Sequence, residues 1–282
     1  MTMPAAQHES PHAGVFETDA TVSDWDTDYY HPIAERLYDR QVARMIRALG
    51  VPPGGPVTDA GCGPGVHAIR AAKLGHRVEA LDLSHTMLGE AQRRATQAGV
   101  ADSISFRQAD LTALDIPDAS RRHVFSWGVV IHIPDAEAAL ANLARIIEPG
   151  GRLALHLTNA TAFDHTLERW GRFVMRKPLE LERRELGPGC WYDMNDERLW
   201  VWRFDLDAVA AFLARRGLTL RRRWTAECSE IQRRVNGPVR SALLRANNAA
   251  ATLGVPARWS ATNLLVFERT AWDGTPGSGR CA

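Results

Sequence analysis

The sequence predicts an α/β fold, a doubly wound and mostly parallel sheet of seven strands that carries inserted segments. Along residues 33–158, short apolar runs alternate with apolar residues at helical spacing, as in parallel sheets with crossover helices. A glycine-rich turn follows the first apolar run, where a strand of an open α/β sheet passes into a helix. The alternation resumes after residue 204 and supplies the last two strands.

Length and composition favour one large globular α/β domain, or one domain with a sizeable insertion. The chain has 282 residues and 31.2 kDa, with 45% hydrophobic and 24% charged residues. No apolar run approaches the roughly 18 residues of a membrane span, and the first residues lack the features of a secretory signal. We therefore expect a cytoplasmic protein without membrane partners. The four cysteines form no C-x-x-C pair, which argues against a disulfide framework or structural zinc (Cys62, Cys190, Cys228, Cys281).

Charge is distributed unevenly. Residues 1–150 carry a net charge of −6 and residues 151–282 one of +7, which together give the +1 of the chain. We interpret this mainly as compositional bias, because a pI near 7.8 is far from that of most nucleic-acid-binding proteins.

The first elements follow from apolar spacing and from capping residues. A helix over 33–49 is predicted to end at Gly50, and a strand over 57–60 enters the glycine turn. A helix over 66–74 precedes a strand over 77–83, and Ser84 can cap a helix that runs to residue 98.

The next elements complete the predicted parallel part of the sheet. Strands are expected over 104–106, 124–130 and 153–157, the second being apolar enough to lie at the centre. Asp135 can cap a helix through residue 147, which Pro149-Gly150-Gly151 would end.

Two segments interrupt this rhythm. Residues 158–204 lack a βα period and carry several large aromatic residues. A helix over 205–216 and a strand over 218–225 follow, and a second irregular or helical stretch precedes a last strand over 263–268. We interpret both segments as insertions into one sheet.

A cluster of glycines and acids marks the candidate binding site. In Asp59-x-Gly61-x-Gly63-x-Gly65 the missing Cβ atoms let the backbone approach a ligand closely, although an ordinary tight βα turn is the alternative. Asp82 ends the second strand and can accept both hydroxyls of a ribose; Asp110 follows the third and can accept an adenine amino hydrogen. Each acid alone could instead be a helix cap or a solvated loop residue. Together they stand at the strand ends where open α/β sheets bind ligands.

These motifs resemble those of class I S-adenosylmethionine-dependent methyltransferases. The glycine turn is similar to the family's first motif, Leu81-Asp82-Leu83-Ser84 to the second and Ala109-Asp110-Leu111 to the third. Segments 125–135 and 145–151 resemble the family's fourth strand with its loop and the entry to its fifth strand. The glycine spacing differs from the G-x-G-x-x-G of dehydrogenases. One departure is Arg121-Arg122-His123, where many relatives have an acid before the fourth strand.

The resemblance implies a Rossmann-like methyltransferase fold, with S-adenosyl-L-methionine as cofactor and S-adenosyl-L-homocysteine as product. By resemblance, Asp59 orients the glycine turn and the cofactor ammonium, Asp82 holds the ribose and Asp110 the adenine. Leu83 and Met87 would flank the adenine, although Met87 is equally explained as helix core. The full set of expected cofactor-binding residues is Tyr29, Asp59, Gly61, Cys62, Gly63, Gly65, Asp82, Leu83, Met87, Asp110, Leu111 and Trp127.

Catalytic and acceptor-binding candidates rest on weaker signals. His132 follows the fourth strand and could act as a base, or it could be a structural loop histidine. Tyr29 or Tyr30, in a segment that folds over the cofactor in relatives, could contact the cofactor or pair with His132; plain aromatic packing is the alternative. Trp191 and Tyr192 could form a flat wall for the acceptor, or a small satellite core.

The implied organisation is a flexible tail (1–23), one methyltransferase domain (24–272) and a second flexible tail (273–282). Within the domain we expect an N-terminal lid and helix (24–56), a cofactor-binding core (57–158), a cap insertion (159–204) and a second insertion (226–260). The expected reaction is methyl transfer to a small aromatic or hydrophobic acceptor in natural-product biosynthesis. A nucleic-acid methyltransferase is one alternative, against which Ile131-His132-Ile133-Pro134 argues; a fold that binds the sulfonium without transferring methyl, and a non-catalytic partner protein, are the others. We expect no metal, and the sequence leaves the acceptor atom and the oligomeric state open.

Overall fold

A computed structural model describes residues 31–176, 179–194, 197–235 and 237–270. Tyr29, Tyr30 and the two expected tails lie outside these residues. The helices are α1 (Pro32–Leu49), α2 (Val66–Lys73), α3 (His85–Gln97), α4 (Ala136–Ile146), α5 (Phe163–Val174), α6 (Leu206–Ala214) and α7 (Gly237–Leu253). The strands are β1 (Pro56–Ala60), β2 (Arg77–Asp82), β3 (Ile104–Gln108), β4 (Arg121–Trp127), β5 (Ile147–Thr158), β6 (Glu182–Arg184), β7 (Gly187–Met194), β8 (Glu197–Trp202), β9 (Leu218–Glu227) and β10 (Thr262–Arg269).

A seven-stranded sheet forms the centre of the domain. Its order is β3-β2-β1-β4-β5-β10-β9, and the neighbours from β3 to β5 pair in parallel. β10 runs antiparallel to both β5 and β9. The predicted doubly wound, mostly parallel sheet is therefore confirmed.

Two apolar clusters cover the two faces of this sheet. One combines α1, α2 and α7 with side chains such as Val57 and Phe125. The other combines α4 and α6 with the aromatic residues Trp200, Trp202 and Phe204 of the cap. The central strands are buried from both sides, as their continuous apolar sequences require.

Capping side chains fix where the helices around the site begin. The Ser84 hydroxyl accepts from the Met87 N–H at 3.0 Å, and the Asp135 carboxylate accepts from the Ala138 N–H at 3.0 Å. At the start of α1, His31 Nδ1 accepts from the Ile33 N–H at 3.2 Å. Gly50 ends α1 in a left-handed conformation, φ +74°.

Two strands begin earlier than the sequence pattern predicts. β4 starts at Arg121 because the Arg121 guanidinium pairs with Glu79 of β2, with Nε at 2.7 Å from Oε2 and Nη2 at 2.9 Å from Oε1. The cation that departs from the family pattern is thus satisfied by an acid within the sheet. β5 starts at Ile147 and passes through Pro149-Gly150-Gly151, and the β4–β5 register shifts between Arg121 and His123.

The first insertion forms a cap of one helix and a small sheet. β6, β7 and β8 pair antiparallel in that order, preceded by α5. The chain leaves the core and returns to it at one point, where the Ala160 N–H donates to the Phe204 carbonyl at 2.9 Å. The second insertion consists mainly of α7. Among the described residues, no helix is both long and apolar enough to span a membrane.

Candidate functional site

A cavity of about 1330 Å³, counted with its open mouth, runs along the carboxyl ends of the central strands. It extends from Asp82 and Asp110, past the glycine turn and Trp127, to His156 on β5 and to Glu230 and Arg233 after β9. Since β2, β1, β4 and β5 lie in this order in the sheet, one continuous space connects their ends.

The glycine turn lies at the centre of the cavity. Gly61 has φ +88°, and a Cβ there would lie 2.4 Å from each γ carbon of Val129. The N–H groups of Gly61 and Cys62 both donate to the Leu81 carbonyl at 2.7 Å, which holds the turn against β2. Gly65 serves packing instead, because a Cβ there would approach Ala91 of α3 to 3.0 Å.

Backbone donors hold the Asp82 carboxylate at the cavity. Oδ2 accepts from the Gly63 N–H at 2.7 Å and Oδ1 from the Ser84 N–H at 3.0 Å. Leu83 and Met87 line the cavity beside it, and Met87 is at the same time buried core. The glycine turn and the second-strand acid therefore form one unit.

Asp110 both caps a short helical turn and lines the cavity. Its Oδ1 accepts from the Thr112 N–H and hydroxyl, each at 2.7 Å. Leu111 and Thr112 line the cavity next to it. Asp110 therefore caps the short helical turn and lines the cavity at the same time.

Asp59 lies beneath the turn rather than on the cavity wall. The residue is 1% exposed, and neither carboxylate oxygen has a hydrogen-bond partner of normal geometry among the described residues. Burial, and next the charge of Asp82, raise the pKa of Asp59 well above its usual value, while the nearby Ala68 N–H opposes the shift. A cationic group in the cavity would stabilise the ionised form of this carboxyl.

Stacked rings form the wall between the turn and β5. Trp127 stacks on His67 with centroids 4.3 Å apart and on His156 at 4.8 Å, and Tyr38 approaches Trp127 edge-on at 6.2 Å. Burial lowers the pKa of both histidines, that of His156 to about 3 with a contribution from Arg233. Both rings are therefore neutral near pH 7.

His132 faces the cavity from the turn after β4. Its Nδ1 lies 3.1 Å from the Trp200 carbonyl of the cap. A carbonyl only accepts, so the neutral ring must carry its proton on Nδ1, which leaves the lone pair on Nε2. Burial lowers the pKa of His132 to about 4; the bond to Trp200 opposes this shift and the charge of Arg233 reinforces it.

A buried polar cluster supports the far end of the cavity. Glu227 is 2% exposed and accepts from the Tyr38 hydroxyl at 3.1 Å. Its Oε2 lies 3.4 Å from Arg233 Nη2 and 4.0 Å from His156 Nε2. Arg233 also pairs with Glu230 at 3.3 Å. The second insertion thus contributes a fixed cation and an acid to the cavity wall.

The structure brings most of the predicted site residues together. Gly61, Cys62, Gly63, Asp82, Leu83, Met87, Asp110, Leu111, Trp127 and His132 line the cavity. Burial, first among the causes, raises the pKa of the Cys62 thiol well above its usual value, so this cysteine fits packing rather than nucleophilic attack. Within the described residues, no group of His, Cys, Asp and Glu could hold a metal ion.

Trp191 and Tyr192 are not brought to the cavity. Trp191 packs edge-on against Trp200 at 5.2 Å, inside the cap. The Tyr192 hydroxyl accepts from Arg203 at 3.0 Å and lies 3.4 Å from Glu168, and burial raises its pKa to about 12. Trp191 and Tyr192 therefore fit the alternative interpretation, in which they belong to a small satellite core under the cap.

Sequence reasoning missed His67, Glu230 and Arg233 as lining residues. His67 had a usable signal, since it is the second residue of α2, the helix that follows the glycine turn. For Glu230 and Arg233 no local signal exists, because only the return of β9 along the sheet places them opposite His132.

The sheet order, the glycine turn and the two strand-end acids are similar to those of class I methyltransferase domains, which use S-adenosylmethionine as cofactor. Residues 57–151 match the family model described as a methyltransferase domain. The chain is 34% identical over 131 residues to methyltransferase GfsG of Streptomyces halstedii, covering 46% of this chain and 47% of that protein. It is also 34% identical over 145 residues to the S-adenosyl-L-methionine-dependent Diels-Alderase iliD of Neonectria sp., covering 51% and 52%. The chain thus spans about half the length of these curated relatives.

A solved structure extends the likeness in fold to nearly the whole chain. Magnesium protoporphyrin IX methyltransferase (ChlM) of Synechocystis PCC 6803, solved with bound S-adenosylhomocysteine, superposes with a TM-score of 0.60. The match covers 92% of this chain and 98% of that chain at 18% identity, so it concerns the fold alone.

Proposed function

We propose that the protein transfers a methyl group from S-adenosylmethionine to a small aromatic or hydrophobic acceptor of secondary metabolism. The observation that carries this proposal is the single cavity that joins the nucleoside end, at Asp82 and Asp110, to a second end at His132 and Arg233. Apolar side chains such as Trp127, Val129 and Ile133 lie between the two ends, which suits an acceptor with an apolar body.

The residues present fit the cofactor. Gly61 and Gly63 of the turn line the cavity, and Asp82 offers its carboxylate at the strand end where a ribose lies in this class. The methionine ammonium would stabilise the ionised form of the buried Asp59 carboxyl, whose pKa burial raises. S-adenosylmethionine supplies a methyl group that its positive sulfur already activates.

The protein must then align the acceptor and exclude water. Trp127, with His67 and His156 stacked on it, forms a rigid wall beside the glycine turn. The cap is fixed over the same region, because the Trp202 indole N–H donates to the Ile133 carbonyl at 2.7 Å. These contacts hold the acceptor end of the cavity in one shape.

We propose His132 as the group that receives the acceptor proton. Its fixed tautomer leaves Nε2 as the acceptor, and a pKa of about 4 keeps the ring neutral at pH 7. A base this weak works best on an acidic acceptor such as a phenol, because the proton transfer is then least uphill.

The N-terminal lid remains part of the proposal. Tyr29 and Tyr30 precede His31, which caps α1, and Tyr38 of that helix reaches Glu227 behind the cavity wall. About two helical turns, roughly 10 Å, separate His31 from Tyr38. We propose contacts of Tyr29 with the cofactor and of Tyr30 with His132.

A second candidate function has support from one relative. The Neonectria protein is named as a Diels-Alderase that depends on S-adenosylmethionine, and it is as identical to this chain as GfsG. A cavity with neutral histidines and a bound sulfonium could equally bind a substrate that rearranges without accepting methyl.

Release of S-adenosylhomocysteine separates the two candidates. The protein is incubated with methyl-labelled cofactor and a panel of phenolic and polyketide acceptors, and products are identified by mass spectrometry. Methyl transfer requires one S-adenosylhomocysteine per labelled product. A converted substrate without label or S-adenosylhomocysteine would establish the second function.

His132→Ala tests the base. We expect turnover to slow by about 10²-fold or more, the usual contribution of a positioned base, while cofactor affinity stays unchanged. His123→Ala is the matched control, since His123 lies at the opposite end of β4, 3.3 Å from the Pro56 carbonyl. Equal turnover in both variants would exclude His132 as the base.

A further inference from the structure

Helix α5 carries its apolar side outward. Its inward side holds charged residues: Asp164 accepts from the Ser229 hydroxyl at 3.1 Å and from the Glu230 N–H at 2.6 Å. Glu168 pairs with the buried Arg203 at 2.7 Å and with Arg172 at 3.1 Å. The helix is thus fixed to the domain through ions and contributes no buried residue.

The outward side is a continuous apolar stripe. Phe163, Leu167, Trp170 and Val174 follow one another at spacings of four, three and four residues, so they lie on one helix face. Trp170 is 70% and the adjacent Phe173 80% exposed. Contiguous apolar surface of this kind marks an interaction site.

Uncompensated positive charge lies beside this stripe. Arg169 of α5 and Arg183 of β6 line a second cavity of about 910 Å³, counted with its opening. Neither has an ion-pair partner among the described residues, in contrast to the neighbouring Arg184, which pairs with Glu182 at 3.0 Å. The face therefore fits a partner that is apolar and acidic at once.

The segment before α1 has this composition. Residues 1–30 contain six Asp and Glu and no Lys or Arg, so residues 31–282 carry a net +7 against the +1 of the chain. The same segment carries apolar side chains between its acids (Val15, Phe16, Val22, Trp25). Its apolar residues therefore suit the apolar stripe of α5, and its acids are opposite in charge to Arg169 and Arg183.

Its attachment point lies close to the face. The Ile33 carbonyl accepts from Asn248 at 3.1 Å, and the adjacent Asn247 accepts from the Ser229 N–H at 2.9 Å. Ser229 in turn contacts Asp164, at the start of α5. Ten extended residues span roughly 33 Å, so residues 15–30 suffice to cross from α1 to the whole length of α5.

We propose that residues 15–28 dock on the outward face of α5, with their apolar side chains on the stripe and their acids beside Arg169 and Arg183. A tethered segment acts at an effective concentration in the millimolar range, which favours it over a second copy of the chain. An anionic membrane surface is disfavoured, because the same six acids would be held against it.

Carbodiimide cross-linking of the full-length protein tests this contact. Lys73 and Lys177 are the lysines of the chain, and Lys177 follows the end of α5 by three residues whereas Lys73 ends α2. We expect peptides that join Lys177 to acids in residues 17–28, and no such peptides from Lys73. The Arg169→Glu/Arg183→Glu variant should reduce this yield by about tenfold, since two charge pairs become repulsive.

A mixture of isotopically light and heavy chains identifies the occupant. Cross-links within one isotope only support the proposal, and mixed pairs at Lys177 would assign the face to a second copy and overturn it. Hydrogen exchange gives an independent readout: Trp25→Asp should increase exchange along residues 163–174, while Trp259→Asp, a change at another exposed tryptophan, should leave it unchanged. Equal exchange in both variants, together with no Lys177 cross-links, would also overturn the proposal.

Discussion

The close approach of Gly61 to Val129 makes a quantitative prediction for Gly61→Ala. The added Cβ would lie 2.4 Å from two Val129 carbons, at a residue with φ +88°. The left-handed conformation costs an alanine about 1–2 kcal/mol, and overpacking adds about 1–3 kcal/mol. We therefore expect a loss of about 2–5 kcal/mol in the free energy of unfolding, or a displaced turn with weakened binding of S-adenosylhomocysteine.

Gly75 provides a matched control for the backbone term. It also has φ +88°, but a Cβ there would meet nothing within 4 Å. Gly75→Ala should cost only about 1–2 kcal/mol. Val129→Ala combined with Gly61→Ala should recover part of the steric cost in a double-mutant cycle, since the Cβ of residue 129 remains 2.8 Å from the added Cβ. Urea unfolding measures the stabilities and calorimetry the S-adenosylhomocysteine affinity. Equal losses for the Gly61 and Gly75 variants, with cofactor affinity intact, would refute the argument from close approach.

Two further predictions concern the cavity. Asp82→Ala should weaken S-adenosylhomocysteine binding by about 1.5–3 kcal/mol, the scale of charged hydrogen bonds; unchanged affinity in calorimetry would remove Asp82 from the ribose site. The free energy of unfolding should fall as the pH drops below about 6.5. The unfolded chain then protonates its histidines, whereas burial lowers the pKa of His67 and lowers that of His156 to about 3, so that both stay neutral in the folded protein. Each contributes about 1.4 kcal/mol per pH unit, so His156→Gln should flatten the slope of unfolding free energy between pH 6 and 4 by that amount; an unaltered slope contradicts it.

The part of the site that sequence reasoning predicted depends on local rules. Gly61 follows the carboxyl end of β1 and Asp82 ends β2. In a parallel sheet these carboxyl ends all lie at the same edge. The start of β4 was predicted too late because Arg121 looks like a loop residue until its partner Glu79, on another strand, is known. Charged residues in strands are satisfied by tertiary pairing, which no local pattern encodes.

The cap escaped prediction for a related reason. Trp191 and Tyr192 are expected to face an acceptor, but Trp191 packs on Trp200 and the Tyr192 hydroxyl accepts a hydrogen bond from Arg203. In the sequence, the outward stripe of α5 has the same spacing as the apolar side of a helix that faces the core. Amphipathic spacing shows that a helix has an apolar side, but not whether that side faces the core or the solvent. Only the inward anchoring of Asp164 and Glu168 reveals the orientation.

The hydrogen bond between Ala160 and Phe204 closes the inserted cap into a loop whose two ends meet. Because its two ends meet, this insertion can be replaced by that of a homologue without changing the register of the sheet. Trp202 and Phe204 limit that freedom, because they stack on each other within the apolar cluster that α4 and α6 share. A graft that keeps residues 200–204 and replaces 161–199 should thus leave nucleoside recognition as it was, because none of the described residues of 161–199 lines the cavity.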